Sequence, residues 1–210
     1  MPEPSTFTVF ADFRRHIHTG TDLAEAIDKA RSAYRPGVQT VVVFNDATGD
    51  RTEIDPRADA ELPDSWLEHL GTKPSGPGRP KLGVVSREIS LLPRHWEWLN
   101  AQPTGASAAI RRLIDEARKQ HVQRDLARTA KDAAYKFMSV VGGDRRNFEE
   151  ASRALYADRF DDALELTASW PRDLKAHLQH LVHAAARCHS LAQQEHAAAS
   201  GLASGDGEGP

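Results

Sequence analysis

The 210-residue sequence predicts an α+β fold: a small N-terminal ββαββ domain, a Pro/Gly-rich linker, then a strand and a helical C-terminal domain. Three observations predict it. Strand patterns, Thr6–Phe13 and the apolar Gln39–Phe44, flank one stretch of helical spacing in the first fifty residues. From Ile110 onward apolar residues recur at helical spacing. Between the two lies Gly71–Gly83, with three Pro and four Gly in thirteen residues, the composition of a linker.

Thr6–Phe13 reads as the first strand, with Phe7, Val9, Ala11 and Phe13 on one face. Thr8 and Asp12 point the other way, where Phe10 is the one apolar exception. Arg14–His18 follows as a second strand, ended by Gly20. Thr21 or Asp22 supplies the N-cap of a helix whose Leu23, Ala26, Ile27, Ala30 and Tyr34 share a stripe, and Pro36-Gly37 stops it. Gln39–Phe44 is the most apolar strand and belongs at the centre of the sheet, whereas Arg51–Asp55 is polar enough for an edge. A sheet carrying one helix buries a modest core, so it is expected to lean on another part of the chain. Glu61–Leu70 reads as a short helix carrying Trp66, Leu67 and Leu70.

After the linker, Val84–Leu92 reads as a strand closed by Pro93, which opens a helix over Arg94–Gln102. Ser107 is placed as the N-cap of a long helix running through Ile110, Leu113, Ile114 and Leu126 to Val141, ended by Gly142-Gly143. Asn147 with Glu150 resembles a capping box opening a helix to Ala157. Phe160–Ser169 is another short helix, and Pro171 opens the last, with Leu174, Leu178, Leu181, Ala185 and Cys188 on one face. Phe137, Met138, Leu155, Leu164 and Leu178 are expected to share one core beneath the long helix. From Gln193 the chain is Ala/Ser/Gly-rich and is expected to be disordered.

Charge is segregated along the chain. Residues 1–70 hold 7 Lys+Arg against 13 Asp+Glu, residues 71–136 hold 13 against 6, and residues 137–210 hold 7 against 11. A basic middle between acidic ends points to an anionic partner for the middle, or to docking of that middle on its own acidic ends. The apolar run Val41–Phe44 is far too short to cross a bilayer, and Met-Pro-Glu-Pro-Ser has no apolar leader region, so a cytoplasmic protein without membrane contact is expected. Cys188 is the single cysteine, which excludes an internal disulfide, a zinc knuckle and a redox pair.

The strings Gly78-Arg-Pro-Lys-Leu-Gly-Val-Val85 and Leu91-Leu-Pro-Arg-His-Trp-Glu-Trp-Leu99, followed by Ser107–Lys119 and Phe148–Leu155, closely resemble a bacterial family of unknown function, domain of unknown function 2239. That resemblance spans about residues 6–185 and implies no activity. The order strand, proline-opened helix, Gly/Ser turn, second helix is also similar to ribbon-helix-helix proteins. Those proteins pair strands from two chains into a ribbon in the DNA major groove and hold a phosphate at the N-terminus of the second helix. The resemblance implies a homodimer through Arg87–Leu92, with Trp96 and Leu99 in the first helix's core and Gly105-Ala-Ser107 as the turn. Arg87, Ser90, Arg94, Ser107, Arg111 and Arg112 would then face DNA, joined by Lys81. If Ile89 and Leu91 face the core, however, the outward set is Glu88, Ser90 and Leu92, a poor surface for reading bases. Gly78-Arg79-Pro80-Lys81 resembles the core of an AT-hook, with Pro77 where an arginine is wanted, so Arg79 and Lys81 are placed as backbone contacts. The segments are therefore 1–60, 61–83, a ribbon-helix-helix-like 84–120, a helical 121–192 and a tail from 193 to 210.

No cofactor or metal is expected. His177, His180 and His183 recur every three residues, but no nearby Cys or Asp/Glu run completes a site, so a solvated His-rich face is expected; His16-x-His18, without a third ligand in view, is expected at the surface. Nucleophile elbow, P-loop, dinucleotide fingerprint and H-E-x-x-H are all missing from the sequence, and Cys188 lies on an apolar stripe, so no enzyme is expected. Two function classes stay open: a dimeric, DNA-associated and regulatory protein, or a scaffolding module that dimerises without nucleic acid.

Overall fold

Two apolar strands, β1 (Phe7–Ala11) and β3 (Val41–Asn45), pair antiparallel at the centre of a four-stranded sheet. β2 (Arg15–Gly20) and β4 (Arg51–Glu53) flank them in the order β2-β1-β3-β4, every pair antiparallel. The computed structural model describes residues 5–54 and 87–203, with side chains through Ala198. The linker, the helix read at Glu61–Leu70, and Arg79 and Lys81 lie outside the described residues. The chain divides into two compact units, one of residues 1–72 with 123–210 and one of residues 73–122.

In the first unit every residue of β1 and β3 is buried, so the sheet is covered on both faces. Phe7, Val9, Ala11, Val41 and Val43 pack against Leu23, Ala26, Ala30 and Ala33 of α1 (Leu23–Ala33). The opposite parity, Phe10, Val42 and Phe44, joins a larger core built by the C-terminal helices. Phe10 is thus the sequence mark of a second covered face. The N-terminal segment does lean on another part of the chain, and it shares one unit with the helices read as a separate domain.

β1 stops at Ala11 because Asp12 and Phe13 take positive φ, 51° and 48°, the conformation of a tight hairpin turn. The Asp12 carboxylate accepts the amides of Gln39 and Thr40 at 2.9 and 3.0 Å, which helps to hold that conformation. Asp22 caps α1, accepting from Ala24 and Glu25. Tyr34 leaves the helix before Pro36, and its hydroxyl donates to the Ile54 carbonyl.

The second unit contains α2 (Pro93–Asn100), with Pro93 in its first turn, and the start of α3 (Ala106–Gly142). The remaining helices are α4 (Phe148–Tyr156), α5 (Phe160–Leu166) and α6 (Arg172–Ala203). Phe137, Met138, Leu155 and Leu178 are buried in one cluster, with Leu164 packed against it. α3 ends where Gly142 meets Trp170, since a Cβ there would lie 2.1 Å from the indole.

Three local expectations are corrected. Asn147 takes φ 64° and makes no cap bond. Its amide donates instead to the Leu166 carbonyl at 3.0 Å, tying α4 to the end of α5. Ser107 is inside the first turn of α3 rather than its cap, because Gly105, at φ 75°, turns the chain early enough for Ala106 to start the helix. α6 continues past Gln193 to Ala203, as its alanine content favours. Among the described residues no helix is long and apolar enough to cross a membrane.

Candidate interaction site

Proline 93 sets where the site begins. Its ring fixes φ for the first turn of α2 and keeps the preceding Leu92 extended, at φ −67° and ψ 151°. In the chain leading to it, Ile89 and Leu91 turn inward and line a groove of about 580 Å³. His95, Trp98 and Leu99 of α2 form a second wall, at the i, i+3, i+4 spacing that puts residues on one helix face. Ile110, Leu113, Ile114 and Ala117 of α3 form the third. Arg94 stands at the rim. Leu99 and Ala109 are buried here, while Ile89, Trp98, Leu113 and Ile114 stay 42–54% exposed. The groove is therefore an apolar cradle open to solvent.

Of the expected site residues that the structure describes, Arg94 lines the groove and the others are not among its lining residues. Arg87, Ser90, Arg94, Ser107, Arg111 and Arg112 are all exposed. Arg112 reaches Glu116 at 3.8 Å, a pair of exposed side chains one turn apart. Glu88, Ser90 and Leu92 face away from the groove, the parity that follows once Ile89 and Leu91 face in. Two expectations need correction. Arg87–Leu92 is not a strand in the single chain, because a strand requires a ladder partner and none of the described residues pairs with it. Trp96, placed with Leu99 in the first helix's core, is outside the groove and 37% exposed, and Trp98 takes its place. The arrangement can bury apolar side chains in the cradle and offer guanidinium groups to anions around it.

A polar cluster in the first unit escaped the sequence reading. His177 is buried rather than solvated, and its Nε2 lies 3.2 Å from Asp46 Oδ1, both side chains under 8% exposed. The contact is a close approach without an aligned hydrogen bond, and neither atom has a hydrogen-bond partner among the described residues. The other Asp46 oxygen accepts from Thr6 and Thr8 at 2.8 and 2.7 Å. Phe10 and Phe137 pack edge-on against the His177 ring. No local motif could have revealed this pair, since its members come from the end of β3 and the start of α6. His180 and His183 are exposed, and among the described residues no group of three or more His, Cys, Asp or Glu could hold a metal ion.

A family model described as "Uncharacterized protein conserved in bacteria" (DUF2239) matches residues 6–182, which takes in the sheet, the groove and most of the helical core. No curated protein and no solved structure matches the chain.

Proposed function

Since the chain belongs to the DUF2239 family, conserved in bacteria, and that membership carries no activity, we propose from its geometry that it is a homodimeric, DNA-associated protein of the cytoplasm with a binding rather than a catalytic role. The observation that carries the reading is the open groove between Arg87–Leu92, α2 and α3. An apolar surface of this kind is stabilised by being covered, at roughly 25 cal/mol per Å² removed from water. A second copy covers it with the same surface across a two-fold axis, and at once gives the two Arg87–Leu92 segments ladder partners. Arg87 and Arg111 outside the groove, Arg94 at its rim and Arg112 beside Glu116 are all exposed and can meet phosphates. Glu88 and Leu92 on the outward parity favour contact with the DNA backbone over base reading.

The same Glu88 supports a second reading, a dimerisation module that does not touch nucleic acid. Fluorescence titration of duplex DNA at two salt concentrations separates them. The DNA reading expects the slope of log K against log salt to fall by about 0.9 for each phosphate contact. Reversing the charge of Arg87, Arg94 and Arg111 together then weakens all sequences alike. A wild-type protein that retains no DNA at low salt, yet sediments as a dimer, leaves the second reading standing.

A further inference from the structure

Two imidazoles in the first unit meet at one phenyl ring. Phe10 of β1 packs edge-on against His16 of β2 and against His177 of α6, with ring centroids 5.6 and 5.5 Å apart. A run of polar contacts joins the same two histidines. His16 Nε2 lies 2.9 Å from Thr19 Oγ1, which lies 2.9 Å from Thr8 Oγ1. Thr8 donates to Asp46 Oδ2 at 2.7 Å, and Asp46 Oδ1 is 3.2 Å from His177 Nε2. The edge strand is also fastened to α6 through its backbone, where the His16 amide donates to Asp173 Oδ2 at 3.1 Å.

We propose that this junction is an acid-operated latch, in which positive charge gained by His16 drives the edge strand β2 away from the first turns of α6. The groups facing the pair are mixed in sign. Asp173 and His180 come from α6, Asp46 from the end of β3, and His18 from β2, with Glu25 of α1 4.0 Å from its ring. The hydroxyls of Thr19 and Thr8 carry a hydrogen-bonded run from the exposed His16 as far as the Asp46 carboxylate, whose other oxygen lies beside the buried His177. Burial, and then the neighbouring His177, hold the His16 pKa below its usual 6.5, against the pull of Asp173. A histidine whose pKa is depressed on folding stabilises the closed form above its unfolded pKa and loses that contribution as the pH falls through the folded value. The latch is therefore shut at neutral pH and weakens on acidification.

Amide exchange in the full-length protein, corrected for the intrinsic effect of pH, tests it between about pH 7.5 and about pH 5.5. Protection at His16–His18 should fall in the wild type, by about tenfold for each unit by which folding lowers the His16 pKa, while the Val41–Phe44 amides stay protected. His16→Gln retains a group able to bond Thr19 but cannot charge, and should abolish the fall. His177→Gln should reduce it, and if that buried variant does not fold, His16→Gln decides alone. A wild type whose β2 protection does not change over this range, or an undiminished fall in His16→Gln, overturns the latch.

Discussion

Phe137 is where the helices grip the sheet. Its ring is 1% exposed and lies 5.5 Å from Phe10, 5.2 Å from Phe44 and 4.7 Å from His177. Phe137→Ala leaves a cavity among three rings and should cost about 3–5 kcal/mol in urea denaturation. A loss below about 1 kcal/mol would show the ring to be dispensable. A second contact between helix and sheet is electrostatic. Gly49, at φ 70°, brings the β3–β4 turn against the Ala133 backbone, and Lys136 reaches the Thr48 carbonyl and Asp50 Oδ1, each at 2.9 Å. Burial alone would raise the Asp50 pKa, but hydrogen bonds from Lys136 and Thr48 outweigh it and hold the carboxyl below its usual 3.8. Its contribution is present at neutral pH and is lost as the pH falls through the folded value. Asp50→Asn should therefore be destabilised by under about 1 kcal/mol at neutral pH, the side chain being well solvated, and should approach wild type as the pH falls from about 4 through the folded value. Phe137 was legible in the sequence because 134, 137, 138 and 141 repeat at helical spacing. His177 was not, because its burial depends on Asp46, which periodicity within α6 cannot see.

Elements whose hydrogen bonds are local or whose partners lie in the same chain were legible nearly to the residue. α1 begins at Asp22, one of the two caps expected, and α2 starts at its proline. α3 runs as one helix to the glycine pair, because its apolar repeat is sustained over that length. The departures come where a side chain finds a distant bond. Asp12 caps the Gln39 and Thr40 amides and turns the chain two residues early, and Asn147 serves the α5 carbonyl end. Arg87–Leu92 differs for another reason: strand pattern encodes a capacity to pair, and none of the described residues supplies the partner. Ser90→Pro tests that capacity. Proline removes an amide from the middle of the segment without touching the groove wall. Sedimentation should show the wild type as a dimer and Ser90→Pro as a monomer, while the melting of the first unit is unchanged. A monomeric wild type would refute pairing through this segment.

For the molecule as a whole, the number of independently folding parts differs from the number of compositional segments. Residues 1–60 read as a domain because the linker after them is so clear, yet one complete face of their sheet belongs to the helical core. A fragment of residues 1–60 would expose Phe10, Val42 and Phe44 together, so it should show no cooperative melt by circular dichroism. A cooperative transition in that fragment would mean that α1 alone suffices to hold the sheet. The basic middle and acidic ends were legible from composition, but composition ranks partners only by sign, which is why the groove's apolar walls add what charge could not.

The sheet's double cover also changes what keeps its strands in step. When one face is wet, a slip of one residue is punished by turning apolar side chains into water. Here β1 is FTVFA with every residue buried, so either parity finds a hydrophobic bed. Thr8 breaks the ambiguity: its hydroxyl is fully buried and bonded to Asp46 and Thr19, and a slip would move it to the α1 side and leave the Asp46 carboxylate facing phenylalanine. A single hydroxyl thus acts as the alignment key of an otherwise degenerate strand, a task that hydropathy profiles would credit to its apolar neighbours.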